Sequence, residues 1–275
     1  MQEFRPRGFQ ILPIAIKNIL IINVLVLMAQ RYLGLGISTM LDKNFALHYW
    51  VSPLFRPWQV ATYLFMHGGW DHLIGNMFAL WMFGSVLENV WGTKRFLAFY
   101  FICGIGAALC QMAYGQYQLG SIESDSSMVL QNLDINSFVN FAAKYHLGRL
   151  DTNIVDFVNA WRLDPNNVDY VHNARDVIQS ATALMRDEAS VGASGSVFGV
   201  LVAFGYLFPN MYLYFYFLFP IKAKWFVTGY ILLELYLGIQ NNAGDNVAHA
   251  AHIGGGIVGF LIVYFWNKKN RQQFY

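Results

Sequence analysis

The chain has 275 residues, of which 56% are hydrophobic and only 12% are charged, whereas soluble domains carry about 25% charged residues. So few charges cannot cover a water-facing surface, which excludes an ordinary soluble protein and predicts a chain embedded in a lipid bilayer. The net charge of +2 is too small to indicate a nucleic-acid partner.

Apolar stretches recur along the chain, and a membrane-spanning helix needs about 20 apolar residues. The stretches at 192–208 and 225–240 are short, so we expect neighbouring helices to shelter them. The aromatic run at 211–219 lies between Pro209 and Pro220 and is too short to span, so it is interpreted as an interfacial loop. Six spans are predicted: 10–30, 72–91, 96–114, 192–208, 225–240 and 248–266.

Charged residues concentrate between predicted spans three and four. Residues 115–190 hold five of the 18 Lys/Arg and ten of the 16 Asp/Glu. Apolar residues at near-helical spacing in this segment predict short amphipathic helices. We therefore expect a membrane domain formed by 1–114 and 191–275, and a soluble extracytoplasmic insert at 115–190. The insert is either a spacer or a gate for a site near the start of span four.

The basic residues outside the insert predict the orientation, because cytoplasmic loops carry an excess of Lys and Arg. With six spans, one side holds only Arg31, Lys43 and Arg56, so the other side and both termini are expected to be cytoplasmic. Without a further cytoplasmic domain, a bacterial inner-membrane location is expected for this multi-pass protein. The ten residues on the cytoplasmic side are Arg5, Arg7, Lys17, Lys94, Arg95, Lys222, Lys224, Lys268, Lys269 and Arg271.

Three polar, glycine-rich stretches open predicted spans two, four and six, at 67–76, 192–199 and 249–259. Polar residues inside spans are costly and therefore indicate function. His72 and Asn76 are four residues apart and project from one helix face. Taken alone, the glycines at near four-residue spacing indicate close helix packing. Because all three stretches lie near outward helix ends, one composite site is possible.

Four motifs stand out in and near these stretches: Gly192-x-Ser194-Gly195, Ala251-His252-Ile253-Gly254-Gly255, His67-x4-His72-x3-Asn76 and Glu88-x3-Gly92-x3-Phe96. In combination, they resemble the rhomboid family of intramembrane serine proteases. Two positions depart from the family pattern: Gln59 follows Trp58 where an Arg is common, and Phe198 stands where a Tyr is frequent. The resemblance implies that the four motifs are, in the order given, the family's nucleophile motif, histidine motif, second-span signature and cytoplasmic turn.

The resemblance implies an all-α, six-helix rhomboid-like bundle that cleaves transmembrane or juxtamembrane segments of other membrane proteins. The residues support the same chemistry, because the Ser194 hydroxyl needs a base and His252 is the candidate. We expect no Asp or Glu near His252, since Asp245 lies outside the span, and so a Ser–His dyad is predicted. Phe198, one turn after Ser194, can stack on the imidazole.

Donors for a tetrahedral oxyanion are expected from the Ser194 N–H, at a helix start, and from the side chains of His72 and Asn76. His249 is interpreted as a hydrogen-bonding neighbour of His252 or as a helix-packing residue. His67 is expected to help admit water.

Other functions remain open at this point. One alternative is a rhomboid-like protein that binds transmembrane clients without cutting them, although Ser194 and His252 are both present. A second is a zinc protein, although no His-Glu-x-x-His occurs; a channel or transporter is a weaker alternative, since no internal repeat is evident. The main prediction includes no cofactor and no metal, with the bilayer and transmembrane proteins as partners. The zinc alternative would use His67, Asp71, His72, His249 and His252.

Overall fold

The computed structural model of the chain describes residues 8–147, 153–215, 219–240 and 248–270. Helices dominate these ranges, which confirms the prediction of an all-α membrane fold. The helices are α1 (Ile14–Tyr32), α2 (Leu35–Phe45), α3 (Gln59–Thr62), α4 (Trp70–Ala79), α5 (Ser85–Trp91), α6 (Thr93–Gln131), α7 (Ile135–Lys144), α8 (Ile154–Leu163), α9 (Val168–Arg186), α10 (Ser194–Leu207), α11 (Ala223–Gln240) and α12 (His249–Asn270).

Within the described residues, four helical segments are long and apolar enough to cross a membrane: α1, the continuous run Trp70–Trp91, α6, and α12 over His249–Lys268. The run Trp70–Trp91 joins α4 to α5 through a π-helical segment at Leu80–Gly84. Helix α10 is apolar but shorter, with 14 residues. Helices α10 and α11 coincide with the two predicted short spans.

Helix α6 differs most from its predicted span, because it continues to Gln131 instead of ending near residue 114. Its 39 residues would measure about 58 Å at the usual rise per residue. That is nearly twice the thickness of a membrane's hydrocarbon core, about 30 Å. No proline occurs between residues 114 and 131 to stop the helix. Gly115 and Gly120 are tolerated within it.

The start of α1 is capped by a side chain from another helix. Glu88 of α5 accepts hydrogen bonds from the backbone N–H groups of Ala15 (2.9 Å) and Ile16 (3.0 Å) and from the Thr93 hydroxyl (2.7 Å). A carboxylate at a helix N-terminus satisfies its unpaired donors and complements its dipole. Gly92, with φ of +77°, ends α5 directly before α6 begins. These contacts explain the Glu88 and Gly92 motif.

In the aromatic segment at 211–219, the described residues Tyr212–Phe215 and Phe219 lie in strands, so the interpretation as a loop was wrong for them. Strands β3 (Tyr212–Phe215) and β4 (Phe219–Lys222) pair antiparallel, with Leu213 opposite Ile221. A hairpin satisfies backbone groups that a plain loop would leave unpaired. Two further strands are two residues long, β1 (Leu47–His48) and β2 (Ala189–Ser190).

The chain divides into two compact units. The first comprises 1–47, 56–111 and 189–275, and the second 48–55 and 112–188. The second unit has its own core, in which Phe138 and Trp161 are almost fully buried beside Ile178. Helices α7, α8 and α9, together with Leu119 and Ile122 of α6, supply this core, which confirms that the insert is helical. Asp134 begins α7 through a capping box with Ser137.

Candidate active site

Helices α10 and α12 pack backbone to backbone, through the first two turns of α10 and the second and third turns of α12. A methyl group placed on Gly255 would lie 2.0 Å from the carbonyl oxygen of Gly195, and one on Gly259 would lie 2.7 Å from the Cα of Gly199. Only glycine permits such an approach. A methyl group placed on Gly195 would lie 3.3 Å from the carbonyl oxygen of Ala251. The residue after Ser194 therefore lies against the residue before His252.

His252 is fixed on one side by an aromatic ring. The rings of Phe198 and His252 are parallel within 10°, with centroids 4.5 Å apart. Tyr230 of α11 packs on Phe198 with a centroid distance of 4.9 Å. Phe198 and His252 are both buried, so neither ring has space to rotate freely.

A carboxylate reaches His252, which the sequence interpretation did not anticipate. Glu234 of α11 contacts the Nδ1 atom of His252 through its Oε2 at 2.9 Å, and the Nδ1 atom of His249 through the same oxygen at 2.6 Å. The expectation that no acidic residue lies near His252 was therefore wrong. The sequence contained a signal that could have identified Glu234, because it is the only charged residue between Trp225 and Gln240. A lone acidic residue within a span indicates function. Asp245, considered instead, lies outside the described residues.

The predicted oxyanion donors lie beside the loop that leads into α10. A methyl group on Gly192 would be 2.7 Å from His72 Nε2 and 3.7 Å from Asn76 Nδ2. The backbone N–H of Gly68 donates to Nδ1 of His72 at 3.4 Å, so a neutral imidazole carries its proton on Nε2, the nitrogen that faces Gly192. Gly192 has φ of +122°, which strongly favours glycine. Both donors therefore border the segment two residues before Ser194.

His67 supports Asn76. Its Nε2 lies 3.1 Å from Asn76 Nδ2, and its ring meets that of His72 edge-on with centroids 5.1 Å apart. His67 is 1% exposed, so its position fits a role in orienting Asn76 better than the predicted role in admitting water. Arg31 fixes the same loop by donating to the carbonyl of Gly68.

Two further polar residues, Ser196 and Gln59, form hydrogen bonds with backbone groups outside the site. Ser196 is fully buried, and its hydroxyl donates to the carbonyl of Tyr100 at 2.8 Å. Gln59, which replaces the Arg common in the family, is also fully buried and donates to the carbonyl of Lys43 at 3.1 Å. Both side chains hold backbone segments together.

Among the described residues, Glu234, His249 and His252 offer donor atoms within 4.8 Å of one another, a set that could hold a metal ion. The zinc alternative had combined His249 and His252 with His67, Asp71 and His72. In the structure, His249 and His252 instead form a smaller cluster with Glu234.

The chain matches a family model described as the Rhomboid domain over residues 55–122 and 171–269, more than half of its length. The match includes Ser194, His252, His72 and Asn76, and both sides of the insert. The chain belongs to the rhomboid family. Intramembrane proteolysis is the activity type of this family, and the protein is an integral membrane protein.

Curated relatives agree with this assignment. This rhomboid is 24% identical over 233 residues to an uncharacterized mitochondrial rhomboid protein of Schizosaccharomyces pombe, which covers 78% of the chain and 53% of that relative. It is 33% identical over 60 residues to the rhomboid protease GluP of Bacillus subtilis, 22% of the chain and 12% of GluP. It is 38% identical over 52 residues to RHOMBOID-like protein 5 of Arabidopsis thaliana, 19% of the chain and 17% of that protein. The chain thus spans about half or less of these relatives.

Proposed function

We propose that this rhomboid is a serine endopeptidase that cleaves transmembrane or juxtamembrane segments of other membrane proteins. The observation that carries the proposal is the stack of Phe198 on His252, at the start of a helix that packs by glycines against the helix headed by Ser194. A base held rigidly beside a serine at a helix N-terminus is the arrangement that nucleophilic catalysis requires.

In the proposed reaction, the Ser194 oxygen attacks the carbonyl carbon of the scissile peptide while His252 Nε2 accepts the hydroxyl proton. The negative charge on the carbonyl oxygen is stabilised by the backbone N–H of Ser194 at the helix start and by the side chains of His72 and Asn76. His252 then gives the proton to the leaving amine, and water hydrolyses the acyl-enzyme by the same route in reverse.

The substrate is proposed to be a single membrane-spanning segment that reaches the site from the lipid. We also propose that the start of α10 faces outward, because the basic loop residues cluster at the other predicted side. A bacterial inner membrane and an extracytoplasmic insert at 115–190 remain parts of this proposal.

The test is labelling of the full-length protein in detergent with a fluorophosphonate probe, together with cleavage of a panel of transmembrane reporter substrates. We expect Ser194→Ala to abolish both signals and His252→Ala to abolish cleavage. Combining the two substitutions should cost no more than either alone, because residues acting as a unit are not additive. The exposed Ser121→Ala and His172→Ala serve as matched controls.

Two results would contradict the proposal. Cleavage that persists in Ser194→Ala would exclude Ser194 as the nucleophile. A wild-type protein that binds the reporters but neither cuts them nor reacts with the probe would favour the non-proteolytic binder.

A further inference from the structure

Glu234 is an acidic side chain buried within an apolar helix. It is 4% exposed, and its neighbours Leu232, Leu233 and Leu235 face outward with exposures between 42% and 60%. Burial of a carboxylate is costly unless hydrogen-bond donors or opposite charges compensate it. The interactions of Glu234 must therefore account for its presence.

Among the described residues, Glu234 contacts two imidazoles. Its Oε2 lies 2.9 Å from His252 Nδ1 and 2.6 Å from His249 Nδ1. The two histidines are three residues apart on α12, so their side chains project from adjacent positions of one face. Tyr230, one turn before Glu234 on α11, packs on the ring of Phe198. One face of α11 therefore contacts both the base and the ring that stacks on it.

We propose that Glu234 is the positioning residue of the base, so that this rhomboid uses a Ser194–His252–Glu234 relay in place of an isolated dyad; this inference rests on the proposed protease function. The carboxylate accepts the Nδ1–H of His252 and so fixes the neutral tautomer in which Nε2 carries the lone pair. Only that tautomer can accept the Ser194 proton. The carboxylate also stabilises the imidazolium that forms in the transition state.

His249 has a secondary place in this arrangement. It shares the Oε2 of Glu234, and its ring centroid lies 6.3 Å from that of His252. A second donor to the same oxygen restricts the rotation of the carboxylate and compensates its burial. Removal of His249 leaves the Glu234–His252 contact available, so its loss should affect turnover less than the loss of Glu234.

The distances in this cluster fit direct hydrogen bonds. Two ligands of one tetrahedral zinc ion, each about 2.1 Å from the metal, would lie about 3.4 Å from each other. The Nδ1–Oε2 separations of 2.6 and 2.9 Å are shorter than this and fall within the hydrogen-bond range. Zinc content is nevertheless measured in the test, because the same three residues offer metal ligands.

The experiment compares Glu234→Gln with wild type, using Glu123→Gln as the exposed control. Glutamine keeps the shape but removes the charge, and its amide can donate to Nδ1 and stabilise the wrong tautomer. Replacement of the acidic partner in a Ser–His–Asp protease lowers kcat by about 10⁴-fold. We expect kcat to fall about 10²–10⁴-fold with KM within about threefold of wild type, and the Glu234→Gln effect to vanish in a His252→Ala background.

A second measurement keeps the inference testable if Glu234→Gln does not fold. Nitrogen-15 NMR of histidine-labelled wild-type protein reports which ring nitrogen carries the proton, and His252→Gln identifies the His252 signals. We expect a protonated Nδ1 and an unprotonated Nε2. The opposite tautomer would overturn the inference.

The remaining outcomes also separate the hypotheses. If Ser194→Ala abolishes cleavage but Glu234→Gln retains wild-type kcat, the dyad stands and the relay is wrong. If Ser194→Ala remains active, the proposed function itself fails. If the purified protein holds one zinc per chain that is lost in Glu234→Gln, and chelation stops cleavage, the cluster is a metal site and the relay is overturned.

Discussion

Phe198 and His252 stack with their ring planes 10° apart, although they belong to different helices and are 54 positions apart in the chain. Phe198 follows Ser194 by four residues, so both project from one side of α10. The stack therefore places the imidazole against the residue one helical turn after Ser194. Because Phe198 has no hydroxyl group, it orients the ring by contact alone.

Loss of this ring should slow the chemical step. We expect Phe198→Leu to lower kcat about tenfold or less, since an aromatic pair contributes about 0.5–1.5 kcal/mol beyond its buried area. The control is Phe204→Leu, which also removes a buried ring from α10, one that packs edge-on against Phe83 at 5.0 Å. Both variants should unfold at lower temperature, but only Phe198→Leu should change kcat. Equal kcat values in the two variants would make the Phe198 stack a packing contact only.

Removal of either oxyanion donor should reduce turnover without a comparable loss of substrate affinity. Loss of one such donor typically lowers the rate about 10²–10³-fold. We expect His72→Ala and Asn76→Ala to show this effect in steady-state cleavage, with the exposed Asn136→Ala as control. His67→Ala should give a smaller decrease, because His67 acts through Asn76. An Asn76→Ala variant with a raised KM and normal kcat would reassign Asn76 to structure.

The close approach of α10 and α12 should not tolerate a side chain at Gly259. In Gly259→Ala, the new methyl group would lie 2.7 Å from the Cα of Gly199, and overpacking of this kind costs about 1–3 kcal/mol. We expect a lower unfolding temperature and slower cleavage, because separation of the helices moves His252 away from Ser194. Gly229→Ala, with nothing within 4 Å, should be neutral or stabilise α11 by up to about 1 kcal/mol. Indistinguishable variants would contradict tight packing.

Acid should weaken the second unit through Asp187. The Arg186 guanidinium and the Ser52 hydroxyl, at 3.1 and 2.9 Å, hold the pKa of this carboxyl below its ordinary value. A depressed folded-state pKa stabilises the fold above the unfolded value, about 3.9; this contribution disappears as pH falls through the folded-state pKa.

The corresponding measurement is hydrogen exchange of residues 112–188 in the full-length protein between pH 3 and 7. Asp187→Asn should exchange faster at neutral pH and lose part of the acid dependence. The effect should be below about 1 kcal/mol, because the ion pair is partly solvent-exposed. Asp176→Asn, exposed on α9, which ends directly before Asp187, should behave like wild type. Identical profiles for both variants would contradict the role of Asp187.

The sequence by itself determined the features that depend on composition and on spacing within one helix. Scarce charges predicted the membrane fold, and the concentration of charges between two apolar stretches predicted the insert, whose helical character is confirmed. The four-residue spacings placed Phe198 with Ser194 and Asn76 with His72, because helix periodicity fixes which residues share a face. The roles of these residues remain predictions that the variants above test.

Tertiary structure alone decided how the helices meet. The end of α6 and the β3–β4 hairpin depend on packing partners that local patterns do not specify. Glu234 and His252 lie on different helices, and their separation of 18 residues along the chain does not specify that they meet. The sequence analysis predicted no acidic neighbour for His252, and only the packing of α11 against α12 shows that Glu234 contacts its imidazole.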